Sequence, residues 1–250
     1  MREWVCSFFM CWGMFLAIPC PFPRWDDSAR DKMLVCFPLI GLIAGAIWAG
    51  AAALAWLVNS PAPLTAFILT AVPVLTTGAI HLDGFMDVCD AMFSRRGIDE
   101  RRRILKDPHT GAFAVISAIL LALGVYSLFM CRSMKGLDFI ALGSVSVCTR
   151  AAAGIMVKLL PPMETSQYAA QRANAKPSHI AALAVMLTAV IGAVFAFGGL
   201  IAAVPASAAA GYAVSAIWGY KNLKGMNGDI SGFALVIGEA VGVAVLVLAF

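Results

Sequence analysis

Charged side chains are scarce in this chain. Asp, Glu, Lys and Arg make up 13% of its 250 residues, against roughly 25% in a soluble domain. A water-facing shell could hardly be built from so few. Alternating apolar and polar runs, which a membrane β-barrel requires, are absent, as are an internal repeat and a Ser/Gly/Pro-rich linker. No Cys-x-x-Cys pair occurs. The seven cysteines are odd in number and several lie within apolar runs, so they read as small buried hydrophobes or free thiols facing a reducing side.

Apolar length fills the space that charge leaves. Some 61% of residues are apolar, mean hydropathy is +0.87, and a bilayer core about 30 Å thick needs about 20 apolar residues per crossing helix. Spans are predicted near 34–58, 62–82, 111–131, 138–160, 180–198, 200–220 and 232–250. The run from Trp4 to Ile18 is short for a crossing and ends in Pro-Cys-Pro-Phe-Pro instead of a small-residue cleavage site, which favours a retained re-entrant or interfacial helix over a signal peptide. The expected fold is therefore all-α: a polytopic integral membrane protein of about seven transmembrane helices plus that short N-terminal helix, one membrane-embedded domain over residues 1–250. The formal charge of +4 reflects loop Lys and Arg, not nucleic-acid binding. Loops at 20–33, 83–110, 161–179 and 221–231 hold most of it and fall on one side of an alternating path, which the positive-inside bias makes cytoplasmic. Arg132 and Lys135, on the other side, are outnumbered. The expected location is the inner, cytoplasmic membrane, with the chemistry facing the cytoplasm.

That chemistry concentrates in residues 81–111, which carry six of the fourteen acidic residues, six of the eighteen basic ones and two of the three histidines. Asp83, Asp87 and Asp90 are spaced i, i+4, i+7 and fall on one helix face. Three like charges there repel unless a cation sits among them. Hard carboxylate oxygens favour Mg²⁺ or Mn²⁺ over zinc, and Mg²⁺ completes its shell with water and substrate phosphate. A solvated loop helix would also carry such residues, but this cluster begins at the end of a span, where a charge is costly unless used. His81 faces away from the carboxylates on a continuous helix, and Cys89 is off their face. Zinc held by His81, Cys89 and His109 has no regular spacing behind it.

Downstream, Arg95, Arg96, Arg101, Arg102, Arg103 and Lys106 suit phosphate oxygens, although a basic loop also fixes topology. Lys-Asp-Pro-His-Thr-Gly then opens the next span. Its amides could receive a phosphate, or Asp107 or Thr110 could simply cap the helix. Arg150, inside an otherwise apolar span, should face the bundle interior, paired with a carboxylate or a substrate anion. A Gly-rich turn at 224–232 carries Asp229 and is followed by Glu239.

These residues resemble a known family. Thr-Gly-Ala-Ile-His-Leu-Asp-Gly-Phe-Met-Asp-Val-Cys-Asp at 77–90 is similar to the T-G-G-x-H-L-D-G-x-x-D-x-x-D-G signature of the cobalamin synthase (adenosylcobinamide-GDP ribazoletransferase) family, and residues 100–114 resemble its R-x-x-E-I-M-K-D-S-R-x-G-x-x-G segment. The runs at 37–46, 149–153 and 227–232, with Glu239, follow in the family's order. Ala91 and Ala114 replace family glycines, and His109 stands where the family has Arg. Lys224 and Asn227 replace a Gly and a Thr, and the N-terminal Arg is missing at Ala17. These departures bear on substrate detail or rate.

The resemblance implies transfer of the adenosylcobinamide-phosphate group of adenosylcobinamide-GDP to α-ribazole or its 5′-phosphate, with release of GMP and Mg²⁺ as cofactor. Under it, Asp83, Asp87 and Asp90 are the metal ligands. Asp107 or another carboxylate is the proton acceptor, and His81 joins the site as part of the matched signature. Arg101, Lys106, His109, Arg150 and Asp229 lie on the phosphate side. Membrane lipid is the other partner, a homo-oligomer is compatible with all of this, and nucleic acid is not implied. A CDP-alcohol-type phosphatidyltransferase is the rival enzyme, but Asp83-Gly84 lacks the following Ala-Arg of that signature. A transporter would place its charges at the midplane, often with paired repeats, and only Arg150 fits.

Overall fold

The computed structural model describes residues 2–163, 166 and 176–250. Much of the basic loop expected at 161–179 lies outside the described residues. Those described are helical with no named strand, and Pro162 and Met226 form one isolated bridge. In chain order the helices are α1 (Arg2–Phe15), α2 (Met33–Leu57), α3 (Ala62–Thr76), α4 (Ile80–Phe93), α5 (Ile98–Ile104), α6 (Ala112–Met130), α7 (Leu137–Leu159), α8 (Pro177–Gly198), α9 (Ala203–Leu223) and α10 (Gly228–Ala249). Short 3₁₀ turns precede α2 and join α8 to α9.

Five segments are long and apolar enough to cross a membrane, and six if α3 and α4 count together. One of the five is the 47-residue stretch Pro177–Leu223. At 1.5 Å per residue it would measure about 70 Å, more than twice a bilayer core. It divides at Gly199, whose φ of 60° takes the chain out of helical geometry. The resulting helices, α8 and α9, both pack on α7.

The crossing expected at 62–82 is not continuous. α3 stops at Thr76, and its axis meets that of α4 at 93°. Gly78 (φ 61°) and Ala79 (φ 63°) are both left-handed, a conformation that stops an α-helix and is strained at alanine. The Thr77 hydroxyl bonds back to the Pro73 carbonyl at 2.8 Å, and the Thr76 carbonyl accepts from the Ala17 amide at 2.9 Å. The broken end is thus satisfied by the chain leaving α1. α1 itself, 14 residues long, reaches only about 21 Å, as expected of a helix too short to cross. The Ser7 hydroxyl at its start bonds to the Ala29 carbonyl at 2.6 Å, and Phe15 at its end packs on Phe37 of α2.

α7 is the buried centre of the bundle. It meets α2 through small residues: Gly41 and Gly45 face Ser146, Val147 and Gly143. A Cβ at Gly41 would lie 2.9 Å from Val147 Cα, and one at Gly45 would run into the Gly143 carbonyl. Close backbone approach of this kind replaces the hydrophobic effect as the source of helix association in lipid. α10 packs on α9, α4 and α7. Beyond the broken span, α4 therefore lies across the end of the bundle at which α10 begins.

Candidate active site

Each face of α4 is settled by what it meets. Phe85, Val88, Cys89 and Met92 are buried. His81 is also buried, stacked on Phe15 at 5.9 Å and edge-on to Phe37 at 6.2 Å. The histidine faces away from the carboxylates, as the spacing predicts, and Cys89 packs in the core. Asp83 is exposed, whereas Asp87 and Asp90 are half-buried.

α10 approaches α4 at two glycines. A Cβ at Gly84 would lie 2.9 Å from both the Cα and the carbonyl oxygen of Asp229. One at Gly232 would lie 3.0 Å from the His81 carbonyl oxygen. This contact brings Asp229 to the acidic face: the carboxylates of Asp83, Asp229 and Asp90 all act electrostatically on that of Asp87, and Asp83 acts on Asp229. Asn227 caps α10, its side-chain oxygen accepting from the Ile230 amide at 3.0 Å, and its side-chain amide donates to Asp229 at 2.6 Å. The residue that stands where the family has Thr therefore serves as a cap and orients Asp229.

Asp90 has a different neighbour. It accepts from the Ala114 amide at 3.4 Å, and a Cβ on Gly111 would overlap its carboxylate. The cap of α6 expected at Asp107 or Thr110 is instead the carboxylate of Asp90, reaching over from α4. The physical reason is the positive end of a helix, which attracts whichever anion can reach it. One of the amides expected to face a phosphate, that of Ala114, is thus already faced by a carboxylate. Among the described residues no three His, Cys, Asp or Glu side chains converge as a ready metal site. The expected triad lies on one face without closing on one point, and His81, Cys89 and His109 are not brought together. Asp83 and Asp87, one turn apart and beside Asp229, remain a hard-oxygen set of the kind Mg²⁺ uses, since that ion needs only one or two carboxylates besides water and phosphate.

The basic residues divide by partner. Arg102 donates to the carbonyls of Leu223 (3.0 Å) and Lys224 (2.7 Å), tying α5 to the end of α9. Arg103 pairs with Glu100 at 2.6 Å, which holds the glutamate carboxyl below its ordinary range. Arg101 differs: its Nε is buried with no partner, leaving a donor for an anion. Lys106 is exposed. Asp107 accepts from the His109 amide at 3.0 Å and faces its Nδ1 at 2.7 Å. The amide first, and then the ring, keep its carboxyl below the usual carboxylate range.

Arg150 is paired with a carboxylate, one of the two partners expected. Its Nη1 donates to Glu239 at 2.8 Å and to the Ser146 carbonyl at 3.1 Å, and its guanidinium lies over Phe37 at 5.7 Å. The signal for this partnership was present in the sequence, since Arg150 and Glu239 are opposite charges inside otherwise apolar spans. Their pairing across α7 and α10 needed the fold.

A cobalamin-5-phosphate synthase profile matches residues 7–247. The chain belongs to that family. It is 34% identical over 237 residues to an adenosylcobinamide-GDP ribazoletransferase of Clostridium botulinum (strain Alaska E43 / Type E3), covering 93% of each chain. Similarity to the enzyme of that name in Clostridium perfringens (strain 13 / Type A) is 34% over 240 residues and 95% of each chain. For that of Geobacillus kaustophilus (strain HTA426) it is 33% over 236 residues, 91% of this chain and 90% of the relative. No solved structure matches. The stretch that resembles the family's signature forms α4, and residues 227–232 start α10, so the glycine contact joins the two.

Proposed function

We propose that the chain transfers the adenosylcobinamide-phosphate group of adenosylcobinamide-GDP to the ribose 3′-hydroxyl of α-ribazole or its 5′-phosphate. Family membership and the names of the relatives support the activity. The observation that carries the site is the close approach of α10 to α4 at Gly84, which sets Asp229 beside the turn of α4 that carries Asp83 and Asp87; Arg101 of α5 adds a buried donor without a partner. The hydroxyl oxygen bonds to the phosphorus nearer the cobinamide. The bond from that phosphorus to the bridging oxygen breaks, GMP departs with that oxygen, and a carboxylate takes the hydroxyl proton.

Mg²⁺, when bound by Asp83 and Asp87, supplies positive charge against the diphosphate. Arg101 and Lys106 hold phosphate oxygens, and His109 stands in the sequence where the family resemblance has Arg. Asp107, held ionised by His109, is a weak base and orders the turn before α6; the proton passes instead to the cluster. Arg150 acts on the site by fixing Glu239. The setting is the cytoplasmic membrane with α4 and α5 on the cytoplasmic face, which the distribution of loop Lys and Arg supports.

Purified protein in lipid is expected to release GMP from adenosylcobinamide-GDP only when α-ribazole and Mg²⁺ are both present. A folded sample that releases none with saturating substrates refutes the assignment. GMP released without α-ribazole would make it a hydrolase.

A further inference from the structure

Between α1 and the segment that follows it lies a cleft of about 630 Å³ that the reaction does not use. Small-ligand sites begin at roughly 300 Å³. Part of its wall is apolar, with Val5, Phe9 and Phe22, and part is charged, with Arg2, Arg24 and Asp26. Phe22 meets Phe9 edge-on at 5.0 Å, which ties the segment to the helix. The charges are unequally provided for. Glu3, which also lines the cleft, is paired with Lys32 at 2.7 Å. Asp26 accepts from the Ser28 amide at 3.0 Å and from its hydroxyl at 2.6 Å, both through Oδ1. Its other oxygen accepts from no donor among the described residues. Arg2 and Arg24 have neither a hydrogen-bond nor an ion-pair partner among the described residues, and both lie near enough to act on the Asp26 carboxylate. Two cations and one anion therefore share the cleft, with binding capacity left on each.

Such a lining selects a ligand with both signs of charge and an apolar body. A divalent cation would meet two guanidiniums. A free phosphate would leave Val5, Phe9 and Phe22 uncovered. The setting narrows the choice further. α1 is too short to cross, and Trp4, Val5, Phe22 and Trp25 are exposed around the cleft, the apolar and aromatic fringe of a segment lying at the membrane–water boundary. We propose that the cleft binds one phospholipid with a primary-ammonium head group, phosphatidylethanolamine, from the surrounding bilayer. Its phosphodiester sits between Arg2 and Arg24, since guanidinium groups match phosphate oxygens. Its ammonium donates to the open oxygen of Asp26, and its glycerol and first acyl carbons cover Phe9 and Phe22. Phosphatidylcholine carries the same charges but has no N–H to donate. Phosphatidylglycerol lacks the cation that Asp26 pairs with. The inference is separate from the reaction proposed above and is read by binding alone.

The experiment is native mass spectrometry of the full chain released from detergent micelles, with the three lipids in competition. Wild type is expected to retain one phosphatidylethanolamine in preference to phosphatidylcholine by about tenfold, the scale of one hydrogen bond to a charged group, and in preference to phosphatidylglycerol as well. Arg24→Gln is expected to lower retention of phosphatidylethanolamine and phosphatidylglycerol by about fivefold each, the scale of one basic side chain at a membrane surface. Lys221→Gln, which removes an exposed charge from the end of α9, is expected to change neither. Asp26→Asn keeps an acceptor for Ser28 and is expected to abolish the preference for phosphatidylethanolamine over phosphatidylglycerol. Arg24→Gln breaks no hydrogen bond or ion pair of the fold, so its arm stands even where Asp26→Asn loosens the turn at 27–32. Phosphatidylethanolamine retained no better than phosphatidylcholine overturns the proposal. So does a wild-type preference surviving in Asp26→Asn, or an equal loss in Lys221→Gln and Arg24→Gln. Displacement of the lipid by an equimolar amount of glycerophosphoethanolamine, which has the head group without the chains, overturns it too, and makes the cleft a site for a soluble phosphodiester.

Discussion

At the scale of single residues, the acidic face of α4 divides into two jobs. Asp83 and Asp87 flank the turn at which α10 brings Asp229 close, while Asp90 accepts from the Ala114 amide of α6. A cap needs an acceptor oxygen, not a charge, so Asn serves nearly as well as Asp. Asp90→Asn is therefore expected to keep most of the turnover, whereas Asp90→Ala destabilises the α6 start by about 1 kcal/mol. Asp87→Asn is expected to lower turnover by at least about a hundredfold, as loss of a group acting on transition-state charge does, and to weaken Mn²⁺ binding measured by electron paramagnetic resonance. Equal loss of Mn²⁺ affinity in Asp90→Asn and Asp87→Asn would place Asp90 in the metal set. Gly111→Ala puts a methyl group where the Asp90 carboxylate sits. Hydrogen exchange across residues 94–111 should show that loop loosened, and an unchanged exchange rate would remove the cap from this account.

At the scale of elements, the site depends on one span broken between α3 and α4 and on one buried ion pair. α4 leaves the axis of α3 at 93°, which lays its carboxylates along the end of the bundle. Arg150 and Glu239 join α7 to α10 deep below that end, with side chains 1% and 13% exposed. Removing one partner strands a buried charge, at a cost of about 3–5 kcal/mol, whereas replacing both with apolar residues of similar volume can be neutral. Arg150→Met is expected to lower the melting temperature in detergent sharply, and Arg150→Met with Glu239→Leu to recover most of the loss. A double variant no more stable than the single would show that Arg150 holds the helices through contacts other than Glu239, such as Phe37 and the Ser146 carbonyl.

For the molecule as a whole, the proposed orientation is tested at the two ends of α6. α6 spans about 28 Å between the turn that carries His109 and the exposed Cys131. These two positions therefore lie on opposite faces of the membrane. In intact cells a membrane-impermeant maleimide should label Cys131 directly. It should label Arg96→Cys, in a Cys131→Ala background, only after permeabilisation. The reverse pattern would turn the site to the outside. Arg132, one of the two charges that dissent from the positive-inside bias, has a local partner at that far end. Asp138 accepts from the Arg132 guanidinium at 2.6 Å and from the Lys135 amide at 3.0 Å.

The residue order alone determined the helical membrane class, because scarce charge and long apolar runs leave backbone groups no partners but those within each helix. It also determined the acidic face of α4, since a period of 3.6 places i, i+4 and i+7 together however the helix packs. The inward orientation of Arg150 followed as well, from the cost of a charge in lipid. Other features were decided by tertiary structure. The bend after Thr76 depends on two left-handed residues, one of them an alanine that local preference disfavours there. Asp229 joins the carboxylates because Gly84 and Gly232 let two backbones approach, a contact between residues nearly 150 positions apart. Asp90 becomes the cap of α6 because the helix start reaches it through space, and the carboxylate that arrives there accepts from the Ala114 amide, which Asp107 and Thr110, closer in sequence, do not.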